Sequence, residues 1–425
     1  MQLVAMGAQD VFLTGNPQIT FFKAVYRRHT NFSKECIRQD FQGSSNSLTC
    51  TLSRNGDLVQ EIYLCADIEA TFIVAATKRG SINFGDFTNL IKTVEIQIGG
   101  QKIDKHYSAW LDIYNELFET NINYIKLLNG EDFNDRPVSS TETTINNTSV
   151  FIPLRFWFNR NPGLALPLIA LQYHEVKILI ELNQVSELKA SFNVTDSAVT
   201  DSNQKLTGAI PTKIISTGSP TTHQANNFSF NTEIELKCVI TNKHLLVNYV
   251  YLDTDERRRF AQVSHEYLIE QVQHTGTNSG SSITLTYNHP IKALFWNNST
   301  YTTAKLQLNG HDRFTEQTDR YFKLVQPYES GLATHGKSMN VTTLSDLRRY
   351  GKLSQGNPDK NEPVTSMYSF SLKPGEHQPS GTCNFSRIDN ARLILNDATD
   401  NTDIFAINYN VLRVMSGMGG LTYSN

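Results

Sequence analysis

Apolar and polar residues alternate along most of this chain with a period of two, the mark of strands that bury one face. Leu48, Cys50 and Leu52 alternate with Thr49, Thr51 and Ser53, and Ile62 and Leu64 lead into a run from Ile68 to Val74. His174, Val176, Ile178, Ile180 and Leu182 share one face opposite Tyr173, Glu175, Lys177 and Glu181. Further strands are predicted at Leu245–Leu252, His265–Val272, Ile283–Tyr287, Ile291–Trp296, Ala304–Leu308, Val364–Leu372, Ala391–Leu395 and Ile404–Val414. Residues 1–22 form no regular period, because Gly7, Gly15, Asn16 and Pro17 interrupt it, and read as an N-terminal arm.

One unit is written twice. Val94–Gly100 (VEIQIGG) and Ala304–Gly310 (AKLQLNG) align residue for residue at an offset of 210 positions. Each is an alternating strand ending in Gly-Gly or Asn-Gly, the signature of a tight hairpin turn. Helix-like spacing follows in both, at Trp110, Ile113, Tyr114, Leu117 and Phe118 and, more weakly, at Tyr321, Phe322 and Val325. A sandwich or barrel made twice suits a protein that tiles a surface better than one that turns over a substrate.

A length of 425 residues exceeds what one hydrophobic core supports, roughly 250 to 300 residues, so two domains are expected. We place the first at 23–254 and the second at 255–425, joined by a short helical connector over Asp253–Phe260. Charged residues make up only 19% of the chain while Ser, Thr and Asn abound, as in short strands with long polar loops. The expected class is therefore all-β. Between Glu187 and Asn231 apolar periodicity almost vanishes, which predicts a surface loop.

The net charge of −3 argues against a chain that neutralises phosphate backbone. Arg257, Arg258 and Arg259, the one short basic cluster, follow Asp253, Asp255 and Glu256 and read as a locally paired helix start. Five scattered cysteines, Cys36, Cys50, Cys65, Cys238 and Cys383, form neither a disulfide framework nor a zinc pattern, and point to a reducing compartment. No apolar run reaches the roughly 18 to 20 residues of a membrane span and the first residues lack a secretion signal, so synthesis in the cytosol is expected.

Gly331–Ser338 (GLATHGKS) matches the phosphate-loop pattern letter for letter, but such a loop needs a buried strand before it and a helix after it. Here Gln326–Ser330 intervenes, and Val341, Thr342 and Thr343 downstream are β-branched. His174-Glu175 and His265-Glu266 begin a zinc-protease motif, yet Ile178 and Ile269 stand where the second histidine belongs, so both histidines read as structural. No catalytic, cofactor-binding or metal-binding residue emerges. Nine N-x-S/T sequons occur; Asn193, Asn227, Asn298 and Asn340, in polar stretches, are the glycosylation candidates.

Four blocks, Gly7–Lys23 running into Tyr26–Phe32, Tyr251–Ala261, Glu376–Asn390 and Asn408–Leu421, together resemble the major capsid proteins of nucleocytoplasmic large DNA viruses, the group that includes phycodnaviruses. The resemblance implies two tandem eight-stranded antiparallel jelly rolls with short helices in the loops, in a homotrimer whose six barrels tile an icosahedral shell as a pseudo-hexamer. It implies that the arm lies beneath the barrels, facing minor capsid proteins or an internal viral membrane, with no direct contact to nucleic acid. It implies a virion protein synthesised and assembled in host cytoplasm, with Asn384 in a structural turn of the second barrel. A carbohydrate-binding β-sandwich explains the strand pattern but not the order of the blocks. A phosphate-loop nucleotide hydrolase rests on residues 331–338 alone.

Overall fold

A computed structural model describes residues 6–22, 24, 26–43, 46–74, 78–83, 87–119, 122–130, 136–138, 143–184, 189–196, 204–209, 234–297, 300–332, 365–398 and 401–423. Eight strands carry the first half: β1 (Phe32–Asp40), β2 (Ser47–Thr51), β3 (Leu58–Val74), β4 (Ile91–Ile98), β5 (Gln101–Tyr107), β6 (Thr143–Pro153), β7 (Val176–Leu182) and β8 (Ile234–Leu252). Eight more carry the second: β9 (His265–Asn278), β10 (Ser282–Thr284), β11 (Pro290–Asn297), β12 (Thr303–Leu308), β13 (His311–Asp312), β14 (Thr365–Ser369), β15 (Ala391–Asn396) and β16 (Thr402–Met415). The first set pairs as two sheets, β1-β8-β3-β6 and β2-β7-β4-β5. The second pairs as β9-β16-β11-β14 and β10-β15-β12-β13. Every pairing is antiparallel, and each strand of the second half is the eighth after its counterpart. These are two jelly rolls of one topology.

Alternation explains which face each strand buries. In β4, Val94, Ile96 and Ile98 are buried and meet Val176, Ile178 and Ile180 of β7 across the ladder. Facing them, Ile62 and Leu64 of β3, Leu245 and Val247 of β8 and Ile152 of β6 complete the same core. Each such side chain contributes roughly 1.5–3 kcal/mol on burial, so a one-residue slip of register would forfeit a whole row. The second core is built alike from Leu294, Trp296, Leu306, Leu393, Leu395, Ile404 and Ala406.

The duplicated hairpin is the same turn twice. Gly99 and Gly100 have φ of +58° and +82°, and Asn309 and Gly310 have +51° and +79°. Two left-handed central residues define the turn whose twist matches that of a hairpin, which is why glycine and asparagine stand there. A helix follows each hairpin: Ser108–Leu117 after β5, and in the second half a π turn, Tyr321–Val325, continuing into Gln326–Glu329.

The structure differs from expectation in three places. The polar stretch 187–231 is not all loop: Lys189–Asp196 and Gln204–Ala209 are strands, joined to Lys78–Asn83 and Arg136–Val138 in a separate four-stranded sheet. Ala190, Phe192 and Val194 alternate with Ser191, Asn193 and Thr195, but the run is short and stands in a stretch otherwise dominated by Ser, Thr and Asn, which hides it. His174 stands just ahead of β7 instead of on its buried face. The connector is a helix, Thr254–Gln262, whose N–H at Thr254 donates to the Asp253 carboxylate, but Arg257 pairs with the buried Asp57 at 3.0 Å and not with a neighbour on the helix.

Candidate functional site

The described residues hold no group of three or more histidine, cysteine or carboxylate side chains able to bind a metal. No helix among them is long and apolar enough to cross a membrane. The most elaborate constellation is instead the seam between the two jelly rolls. The helix Ser108–Leu117 has apolar residues on two sides, because Trp110, Ile113, Tyr114 and Leu117 recur at helical spacing while Leu111 points into the first core. Its first set packs on the outer face of the sheet β9-β16-β11-β14, against Ala293, Phe295, Phe405, Ile407 and Met367. The Trp110 ring lies 5.6 Å from Phe295 and 5.8 Å from Phe405, and Phe118 lies 5.6 Å from Phe295. Tilted aromatic contacts of this kind add to the area they bury.

Polar groups stitch the same seam. Gln271 of β9 donates to the Ile103 carbonyl of β5, and the Asp104 carboxylate accepts from Val272 N–H at 3.0 Å. Behind them Glu270, almost wholly buried, accepts Lys292 at 2.6 Å and Arg160 of the first jelly roll at 2.9 Å. Burial alone would raise the Glu270 carboxyl, but the Arg160 and Lys292 charges outweigh it and hold it at about 2. Lys292 is shifted down, because burial costs it more than its share of one carboxylate returns. A cavity of about 280 Å³, lined by Tyr114, Trp157, Arg160, Glu270 and His377, opens beside this group.

The C-terminal strand Met418–Leu421 closes the seam from the other side. The His174 ring Nδ1 lies 3.0 Å from the Gly419 carbonyl and 3.2 Å from its N–H, while Tyr173 N–H donates to the Gly417 carbonyl at 2.9 Å. Ile269, Leu412 and Val414 of the second jelly roll belong to the first core. The two barrels therefore share apolar interior as well as hydrogen bonds.

The residues singled out by sequence scatter away from any common site. His265 lies in β9, its Nε2 3.0 Å from the Phe260 carbonyl, far from a metal-binding arrangement. Of the phosphate-loop octapeptide only Gly331 and Leu332 are described, residues 333–338 lying outside the described residues, and what precedes Gly331 is helix, not strand. Asn193 sits within the strand Lys189–Asp196, paired on both sides, and not in a loop; Asn227, Asn298 and Asn340 lie outside the described residues. Asn384 accepts from Ser386 N–H at the start of a short 3₁₀ turn, a structural role. Cys50 and Cys65 are buried, which pushes their thiols up to about 11 and about 12, so neither is a ready nucleophile. The arm carries Phe12, Leu13, Ile19, Phe21 and Phe22 fully out from the barrels, with Phe21 at 96% exposure.

Sequence reasoning missed the seam network. Glu270 and Lys292 gave no signal because their partner Arg160 stands in the other half of the chain, and an isolated charge in a strand reads as solvent-facing.

Two family models together match most of the chain: one described as the major capsid protein N-terminus, over residues 20–253, and one as the large eukaryotic DNA virus major capsid protein, over 256–303 and 357–420. The chain belongs to this family of major capsid proteins. It is 47% identical to the major capsid protein of Pyramimonas orientalis virus and 37% identical to that of Paramecium bursaria Chlorella virus 1, covering 100% of this chain and 99% of each relative. Among solved structures, VP54 of PBCV-1 aligns with a TM-score of 0.66 at 31% identity over 96% of this chain and 100% of that one. The Faustovirus major capsid protein shares the fold at 11% identity, with a TM-score of 0.64 over 96% of this chain and 94% of that one. The protein is thus a structural component of the capsid of a large DNA virus, built as a double jelly roll. The relatives named here are capsid proteins.

Proposed function

We propose that three copies of this chain associate into a capsomer whose six barrels imitate a hexagon, and that such capsomers tile an icosahedral shell. The observation that carries the reading is the repeated topology, in which every strand of one barrel has a counterpart eight strands later. Three copies of a doubled barrel offer six near-equivalent edges, and a closed threefold ring satisfies each interface without leaving an open end. The apolar interior shared by the two barrels supports it, since a lattice needs both barrels of a chain in fixed relation.

In the same reading the first barrel is 23–254, the second 255–425, and residues 1–22 are an arm. The gap between the two family matches, from 253 to 256, and the helix Thr254–Gln262 favour that division. The arm's exposed aromatic residues fit a role beneath the shell, against minor capsid proteins or an internal membrane. We read the chain as without enzymatic activity, made and assembled in host cytoplasm, with Asn193, Asn227, Asn298 and Asn340 as candidate glycan sites.

Sedimentation of the purified protein tests the capsomer directly. The expected species has three times the 48.0 kDa chain mass. A monomer that is retained on glycan columns would overturn the reading in favour of a sugar-binding sandwich.

A further inference from the structure

Asparagine followed by glycine occurs three times, at Asn55-Gly56, Asn129-Gly130 and Asn309-Gly310, and the fold treats the three pairs differently. In such a pair the glycine has no side chain to crowd its own nitrogen, which can approach the Cγ of the asparagine before it. Asn129 is prevented from closing in this way. It is wholly buried, its Nδ2 donates to Thr88 Oγ1 at 2.9 Å, and Gly130 N–H donates to the Leu127 carbonyl at 3.1 Å. Asn309 is exposed but tethered: its Oδ1 accepts from Asp389 N–H at 3.0 Å and from Asn390 N–H at 3.3 Å, so turning the carboxamide toward Gly310 would break both bonds. Asn55 is exposed and, among the described residues, neither its carboxamide nor Gly56 N–H has a hydrogen-bond partner.

The turn that carries Asn55, between β2 and β3, is fixed on both sides of it. Arg54 Nη2 donates to the Leu171 carbonyl at 2.7 Å, and the Tyr249 hydroxyl donates to the Ser53 carbonyl at 2.8 Å. Gly56 lies against Tyr249: a Cβ there would stand 2.7 Å from the Tyr249 Cβ, so packing requires glycine at the position that also permits cyclisation. Asp57 is buried, its N–H donating to the Val250 carbonyl and its carbonyl accepting from Ile169 N–H, each at 3.1 Å. Its carboxylate accepts from Leu252 N–H at 2.8 Å and from Arg257 at 3.0 Å. Asp57 thus ties this turn to the connector between the barrels.

We propose that Asn55 is a site of spontaneous deamidation whose conversion loosens the connector. The Gly56 nitrogen attacks Asn55 Cγ: the N–Cγ bond forms, the Cγ–Nδ2 bond breaks, and Nδ2 leaves as ammonia with the Gly56 amide proton. Solvent water then opens the succinimide ring at either carbonyl, giving aspartate or isoaspartate, and nothing is oxidised or reduced. Isoaspartate adds one methylene to the main chain between two anchored residues, Arg54 and Asp57. The extra length falls where Asp57 holds Leu252 and Arg257. The inference is independent of the capsomer reading, since the chemistry lies within one chain.

The test incubates the full chain in neutral buffer, folded and in urea, and follows the three Asn-Gly peptides by mass spectrometry, with electron-transfer fragmentation to separate isoaspartate from aspartate. Each folded rate is divided by the rate of the same peptide in urea. On that scale Asn55 should convert at least about tenfold faster than Asn129 and Asn309, because holding a carboxamide or an N–H elsewhere removes the proximity that an intramolecular attack needs. The converted chain, separated by its added negative charge on anion exchange, should show faster hydrogen exchange at the Leu252 amide. Asn55→Gln, an exposed substitution that keeps the carboxamide but needs a larger ring to cyclise, should show neither change after the same incubation. Asn55 converting no faster than Asn309 in the folded chain would overturn the site. Conversion with unchanged exchange at Leu252 would overturn its link to the connector.

Discussion

At the scale of single residues, the buried charges of the seam set the sharpest expectations. Glu270 is held between Arg160 and Lys292, so removing its charge takes from both buried cations the carboxylate they share. Glu270→Gln should therefore destabilise the protein by about 3–5 kcal/mol in thermal or denaturant unfolding, the usual cost of breaking a buried pair from one side. The same carboxyl predicts the acid response. Its folded value of about 2 lies below the 4.5 of the free group. The stability it contributes is thus fully present above about pH 4.5 and is lost as pH falls toward 2, amounting to about 3 kcal/mol. Unfolding followed between pH 6 and pH 2 should show that loss in wild type and not in Glu270→Gln. None of this was legible in sequence, where Arg160, Glu270 and Lys292 are isolated charges scattered over 130 positions. The turn residues were legible, because Gly99-Gly100 and Asn309-Gly310 announce a local backbone geometry that depends on nothing distant.

At the scale of elements, what could be read locally was read well. Period two located β4, β7, β11, β12, β15 and β16, and helical spacing located Ser108–Leu117, since one buried face imposes its pattern on neighbouring positions. Short strands in strongly polar surroundings escape: Lys189–Asp196, paired with Gln204–Ala209 and with Lys78–Asn83, lies within a stretch dominated by Ser, Thr and Asn. The candidate glycan site Asn193 was placed in a loop for the same reason. Among the described residues, every large apolar side chain of the arm is exposed. Its short helix, Asp10–Thr14, buries no residue, and Phe12, Phe21 and Phe22 stand in solvent. Deleting residues 1–22 should accordingly leave folding and the trimer unchanged by sedimentation while impairing assembly of capsomers into shells by electron microscopy. Loss of folding on that deletion would show that the arm belongs to a barrel.

At the scale of the whole molecule, the duplicated topology turns one chain into two nearly equivalent building blocks. Sequence disclosed the duplication through a single hairpin, and the strand orders extend it to all eight positions of each barrel. The seam joins the pair, with aromatic packing of the first helix on the second sheet and Leu412 and Val414 of the second barrel lodged in the first core. In the capsomer we propose, association would give a ring of six like units from only three chains, the geometry a flat array requires. The most direct measurement is electron microscopy of the purified chain with class averaging. The account predicts particles of near-hexagonal outline and threefold symmetry; two-lobed single chains, or rings of another symmetry, would contradict it.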